Sequence, residues 1–325
     1  MNCSHGSPSV DAVSNGIYTT TRELVRLSVD AQALGLRAER PLTSVWSGQR
    51  RSRLRGRGLD FDELRHYRPG DDIRHMDWRV TRRTGQPFVR AYTEEKDRPV
   101  MLIVDQRLPM FFGSRLLMKS VATAQAAALL AWATLNSGDR VGWLLAGPNE
   151  LTPMPPSRRP QALLERLGAL AAMNTDLAED ALRSTQPGNT ACIHLDTALA
   201  HAARAVSHDG LIVVLSDFHD WDARCLNHLR SIRRHNEALC FHISDPLERT
   251  LEGLTHLVAS DGEWQLSLQH PKAAVKQHYR AAFTERIATL STSLGRMGVP
   301  LLEIDCAQPT AAQLQRHLGR QVRSA

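Results

Sequence analysis

Three aspartates close apolar runs: Asp105 after PVMLIV, Asp217 after LIVVLS and Asp245 after CFHIS. A short continuous apolar run ending in a carboxylate reads as a buried parallel strand with the acid at its carboxyl edge. Carboxylates grouped there with hydroxyls are the oxygen ligands that a hard cation such as Mg²⁺ takes. Asp105 and Asp217 would supply two, with Ser216 and either Thr190 or Thr197 as hydroxyl donors. Metal-dependent hydrolysis is the chemistry such a set could perform. Two features oppose it. After Asp105 come Gln106, Arg107, Leu108 and Pro109, so a guanidinium stands beside the carboxylate and can neutralise it in a cation's stead. Each aspartate is also suited to cap the helix or turn that follows its strand.

Other chemistry is hard to find. The chain has no GxxxxGK[ST] phosphate loop, no HExxH and no GxSxG. The glycines of RGRG precede no strand–helix unit, so they make no dinucleotide fingerprint. GDD at Gly70 to Asp72 looks like a polymerase metal turn but lacks the second carboxylate strand that such a site needs. None of the 14 histidines pairs with a cysteine and a carboxylate as a triad requires, and His194, His201 and His208 read as helix-edge surface residues. Cys3, Cys192, Cys225, Cys240 and Cys306 form no close pair, which argues against a disulfide framework and a structural zinc site.

The elements that must position the aspartates alternate. After the strand ending at Asp105, the pattern predicts a helix over 116–136, a strand over 140–146, a Pro-rich turn, and helices over 161–172 and 197–206. A strand over 211–215, a helix over 222–234 and a strand over 239–243 follow. Then come a hairpin around 256–270 through Asp261-Gly262, a helix over 274–297 and a strand over 299–304. This is the pattern of an α/β protein with an open, mostly parallel sheet flanked by helices, whose ligands bind outside the carboxyl edge at a topological switch point. Residues 1–20 read as a disordered leader, and 21–98 as a helix (about 21–38, capped by Thr20 or Thr21) followed by an Arg/Asp-rich, irregular or β-containing element. The sheet domain spans 99–306, and 307–325 form a tail with a short helix over 311–320. The start has no basic segment followed by an apolar one, and the most apolar stretch, 121–135, falls short of the roughly 20 residues that span a bilayer. The cytoplasm is the expected location.

Charge has an address. The chain carries 40 Lys plus Arg against 34 Asp plus Glu, and between Arg40 and Arg98 lie 15 basic and 9 acidic residues, so the whole surplus of +6 sits in that strip. The remaining 25 and 25 balance, which excludes a uniformly basic, histone-like protein. Within the strip, Asp71, Asp72 and Asp77 interleave with Arg68, Arg74, Arg79, Arg82 and Arg83. That spacing suits bidentate Arg–carboxylate pairs, with Phe61, Tyr67, Trp78 and Phe88 as apolar anchors onto the sheet domain.

Residues 48–98, GQRRSRLRGRGLDFDELRHYRPGDDIRHMDWRVTRRTGQPFVRAYTEEKDR, closely resemble the DUF58 signature, RGxGxEFxxLRxYxPGDDxRxIDWxxxAR with a later glutamate-rich stretch. The matching positions are Arg55, Gly56, Gly58, Phe61, Leu64, Arg65, Tyr67, Pro69, Gly70, Asp71, Asp72, Arg74, Asp77, Trp78, Arg83 and Glu95, with Arg57 inside the run; ISDPLE at 243–248 also looks like the family. The resemblance covers about residues 25–305. It implies a von Willebrand factor A-like fold, with PVMLIVD and LIVVLSDF as its first and fourth strands. It also implies work beside a MoxR-type AAA+ ATPase in assembling or activating protein complexes. The two N-terminal membrane helices that many members carry are missing here. The A-domain metal pattern, Asp-x-Ser-x-Ser with a distant threonine and aspartate, falls on Asp105, Arg107, Pro109, Thr190 and Asp217. Both serines are gone, so the metal site is degenerate and no cofactor is expected.

The expected function is therefore a non-enzymatic adaptor for such an ATPase and a client protein, with the signature element as docking face or internal scaffold. No small-molecule substrate is expected. Two alternatives are nucleic-acid binding through the arginines of 50–57 and metal-dependent hydrolysis through Asp105 and Asp217. Against the first, the phosphate-binding footprint is small because the rest of the strip is balanced.

Overall fold

A computed structural model describes residues 16–34, 59–68, 73–94, 99–183, 193–206, 208–251, 256–260, 265–269 and 272–319. The chain divides into a larger unit, 1–47 with 98–325, and a smaller one, 48–97.

The first helix, α1 (Thr21–Ala33), is closed at its start by a capping box. Thr20 Oγ1 accepts from the Glu23 N–H while the Glu23 carboxylate accepts from the Thr20 N–H. Its apolar side, Leu24, Ala31 and Leu34, is buried in the core of the larger unit. The helix therefore belongs with the sheet and not with the Arg/Asp-rich element. Residues 16–20, assigned to the leader from sequence, are also packed: Met118 N donates to Gly16 O at 2.8 Å and Thr19 N to Asn174 Oδ1 at 2.9 Å. The rest of the expected leader, 1–15, lies outside the described residues.

The smaller unit pairs β1 (Leu59–His66) with β2 (Phe88–Glu94) antiparallel. Between them lies a short helix, α2 (Trp78–Thr84), which the sequence reading did not anticipate. Asp77 starts it, Oδ1 accepting from the N–H groups of Arg79 and Val80 at 3.0 and 3.1 Å. Gly85 ends it with φ +74°, a conformation that suits glycine. The helix is tied to β2 through Asp77 N to Phe88 O at 2.8 Å and Phe88 N to Thr81 Oγ1 at 3.0 Å.

The larger unit is a mixed α/β fold built on a six-stranded sheet. Its strands are β3 (Pro99–Asp105), β4 (Arg140–Ala146), β5 (Leu151–Ser157), β6 (Leu211–Ser216), β7 (Glu237–Ser244) and β10 (Leu301–Asp305), in the order β10-β7-β6-β3-β4-β5. All pairings are parallel except β4 with β5. The sequence LTPMPPS, expected as a turn, forms the antiparallel edge strand β5. Proline is tolerated there because an edge strand needs only one row of N–H donors, and Arg166 braces the edge by donating to Val141 O at 2.7 Å and to Pro155 O.

Because side chains alternate, Val100, Leu102 and Val104 enter one core layer and Met101 and Ile103 the other. The first layer is covered by α1, α3 (Lys119–Asn136), α4 (Pro160–Arg183) and α9 (Thr310–Gly319). The second is covered by α5 (Leu195–Ala205), α6 (Ala223–Arg233) and the end of α8 (Ala273–Gly295). The tail helix α9 buries Leu314 and Leu318, so it is part of the core. A hairpin of β8 (His256–Ser260) and β9 (Gln265–Gln269) stands where Asp261-Gly262 suggested one; that turn lies outside the described residues. Between β7 and that hairpin, α7 (Pro246–Arg249) is a single turn. Strand β3 leads through α3 on one face and its neighbour β6 through α6 on the other. Their carboxyl ends thus border a topological switch point.

Candidate functional site at the carboxyl edge of the sheet

Asp105 and Asp217 leave β3 and β6 side by side at this switch point, and both are buried. Taking a carboxylate out of water costs several kcal/mol unless it is paired, so their partners decide what the edge can do. Asp105, with no exposed surface, is gripped by Arg107: Nε donates to Oδ1 at 2.9 Å and an amino group of the same guanidinium to Oδ2 at 2.7 Å. Ser216 Oγ donates to Oδ2 at 2.6 Å, and the Arg107 N–H to Oδ1 at 3.0 Å. The far side of the guanidinium donates to both Asp220 oxygens, at 2.5 and 3.1 Å, and to Ile193 O at 3.0 Å. A guanidinium has five N–H donors, and these bonds use them all.

Lys119 does the same for the other strand end. Its Nζ lies 2.7 Å from Asp217 Oδ2 and 2.7 Å from Glu248 Oε1, and it is buried at 2% exposure. Asp217 Oδ1 accepts from the His219 N–H at 3.0 Å. The turn between them holds Phe218 at φ +52°, costly for a residue with a side chain. Ser216 Oγ, accepting from the Phe218 N–H at 3.0 Å, helps hold it. Asp245, the third strand-end acid, caps α7 and takes the N–H and hydroxyl of Ser114 at 2.8 and 2.5 Å.

Burial alone would lower the pKa of Arg107, but Asp105 and Asp220 outweigh it and hold it above its ordinary value. Lys119 is likewise raised, burial being outweighed by Asp217 and Glu248. Burial would push the Asp217 carboxyl up, yet the Lys119 ammonium, with the His219 N–H, brings it down to about 2. Both cations stay charged across the physiological range.

These residues do not fit a divalent cation. The oxygens of Asp105 and Asp217 that would face it are committed to a guanidinium and an ammonium, and Ser216 spends its hydroxyl on Asp105. Thr190 lies outside the described residues. Thr197 is exposed and bonded to Asp196 Oδ1 at 3.2 Å. Among the described residues no group of three His, Cys, Asp or Glu side chains could hold a metal. His194 and His208 are exposed and His201 half-buried.

The signature residues fare differently. Arg55, Gly56, Arg57, Gly58, Pro69, Gly70, Asp71 and Asp72 lie outside the described residues, and Phe61 and Arg65 are described as strand backbone only. Tyr67 is half-buried and Arg74 exposed. Asp77 is buried as the cap of α2. Trp78, at the start of α2, is 64% exposed. Arg79, Arg82 and Arg83 are exposed and, among the described residues, have no carboxylate partner, unlike the pairing their spacing suggested. The acid that opens the helix, Asp77, turns Oδ1 to the N–H groups of Arg79 and Val80.

Sequence reasoning missed Lys119, Asp220 and Glu248. The signal for Lys119 was a lone charged residue opening an otherwise uncharged, Ala/Leu-rich helix. For Asp220 it was three acids in DFHDWD.

The fold and this edge define an α/β protein whose sheet-edge switch point is occupied by its own salt bridges. The chain belongs to the DUF58 family, described as a protein of unknown function, whose model matches residues 63–289. It is 26% identical over 306 residues to the uncharacterized proteins Mb1516 of Mycobacterium bovis and Rv1480 of Mycobacterium tuberculosis, covering 92% of this chain and 91% of each relative. Among solved structures it is similar to the conserved hypothetical protein BatB from Bacteroides thetaiotaomicron, at 11% identity and a TM-score of 0.39 over 70% of this chain and all of that one. An uncharacterized membrane-spanning protein from Vibrio fischeri matches at 12% identity and a TM-score of 0.23, over 69% of this chain and 97% of that one. Among the described residues no helix is long and apolar enough to cross a membrane.

Proposed function

We propose that this protein is a non-enzymatic adaptor, with a von Willebrand factor A-like sheet domain, that works in the cytoplasm with a MoxR-type AAA+ ATPase to assemble or activate a client protein complex. The observation that carries the non-enzymatic part is the self-neutralised edge. Where α/β proteins of this topology hold a substrate or ion, Arg107 uses all five donors on its own chain and Lys119 is clamped between two carboxylates. A group so committed is neither a free acid–base catalyst nor an open ligand position. The partner class comes from the signature of residues 48–98 and from the confinement of the surplus charge to that strip. Charge complementarity there favours fast, registered encounter with a partner.

The test is co-purification of a MoxR-type ATPase with the full chain in ATP and in ADP, repeated with Asp71→Ala/Asp72→Ala. Retention that depends on the nucleotide is expected, and the double variant should weaken it. Absence of any retention by the wild type in either nucleotide would sink the reading.

A further inference from the structure

Helix α2 carries a face that its own stability does not explain. Trp78, Arg79, Arg82 and Arg83 together line an open depression of about 430 Å³. Their spacing places Trp78 above Arg82 and Arg79 above Arg83, two adjacent rows on one side of the helix. No acidic residue lies within the helix, and among the described residues the three guanidiniums have no carboxylate partner. Arg82 and Arg83, in the last turn, are favourable to the helix dipole; Arg79, in the first turn, is unfavourable to it. An indole 64% exposed beside them gains nothing from folding that burial would give. The combination makes sense when something covers it.

We propose that this face docks an acidic polypeptide segment of a partner protein: carboxylates on Arg79, Arg82 and Arg83, and an apolar side chain against the Trp78 ring. The proposal rests on the adaptor reading and names the surface and partner chemistry for it. Guanidinium forks pair bidentately with carboxylates, and Trp and Arg are the residue types that dominate interface energies. A nucleic-acid backbone suits the face less well. Its affinity grows with the number of phosphates neutralised, and three free cations on a seven-residue helix are a small footprint beside a chain that balances outside 40–98.

The experiment measures fluorescence anisotropy of labelled poly-L-glutamate and of labelled oligo(dT) against the full chain at about 0.05 M salt, where screening is incomplete. Polyglutamate should bind, and Arg79→Glu/Arg82→Glu/Arg83→Glu should weaken it at least about tenfold. A glutamate–tyrosine copolymer should bind more tightly than polyglutamate, and Trp78→Ala should remove that advantage. If the triple variant fails to fold, Arg79→Glu alone serves, because an acid in the first turn favours the helix while still opposing the ligand. Polyglutamate binding that is absent, or untouched by charge reversal, overturns the proposal. So does oligo(dT) binding that is tighter than polyglutamate and lost in the variant, or a self-association of the chain that the variant abolishes. An advantage of the copolymer that survives Trp78→Ala overturns the role of the indole. Loss of ATPase retention by the wild type is read separately: it defeats the adaptor reading and leaves the polyglutamate comparison intact.

Discussion

Two regions of this molecule treat charge in opposite ways. At the carboxyl edge of the sheet, Arg107 and Lys119 are buried, each between two carboxylates, and the charges answer one another within the chain. On α2, three arginines stand exposed with no such answer among the described residues. Burial explains the difference. An unpaired charge inside costs several kcal/mol, so an interior cluster must be complete within the folded chain; at the surface water solvates it, and it can wait for a partner. Completeness makes the edge a poor place for a ligand. Incompleteness makes the helix face a good one.

The contrast can be broken most sharply by deleting one cation from each region. Arg107→Ala leaves Asp105 buried with its principal partner gone and should cost about 3–5 kcal/mol in denaturant unfolding. A loss below about 1 kcal/mol would mean the edge is wet and open after all. Replacing both Lys119 and Asp217 by apolar residues should recover much of what Lys119→Met alone loses, because the cost lies in the orphaned partner.

Acid should separate the regions next. The Asp217 carboxyl is held at about 2, below its unfolded value of about 3.9. Its contribution is therefore fully present above about pH 4, and roughly 2 kcal/mol should drain away as pH falls through about 2. Guanidinium melts from pH 6 downward would show the effect. Asp217→Asn should flatten the profile.

Smaller effects belong to the helix. Asp77→Ala removes the cap of α2 and should cost about 1 kcal/mol, seen as faster amide exchange at Arg79 and Val80 with the sheet unaffected. Arg82→Ala should change stability by no more than about 0.5 kcal/mol while weakening an acidic ligand. A larger destabilisation would show that Arg82 serves the fold.

The strand ends were legible because PVMLIVD and LIVVLSD are apolar runs that stop at a carboxylate, and that signal is local. The guanidinium beside Asp105 was legible for the same reason, two residues along the chain. Lys119 was not. It lies 98 residues from Asp217 and 129 from Glu248, and in sequence it is one charged residue at the start of an alanine-rich helix. Strand β5 was hidden by its prolines, which read as a turn until the edge position excuses them. Helix α2 was hidden because Asp77 read as an ion-pair partner. The cap and the stop at Gly85, eight positions apart in DWRVTRRTG, were the better signal.

By itself the sequence determined the alternation of strand and helix, the aspartates at the strand ends, the family signature and the address of the surplus charge. All of these are properties of neighbouring residues and of counting. Tertiary structure decided which cation meets which carboxylate, because the connection from β5 through α4 and α5 carries the chain back across the sheet and lays β6 beside β3. It also decided which arginines are spent in the interior and which are left outside, since only folding separates a charge that must be paired from one that water can keep.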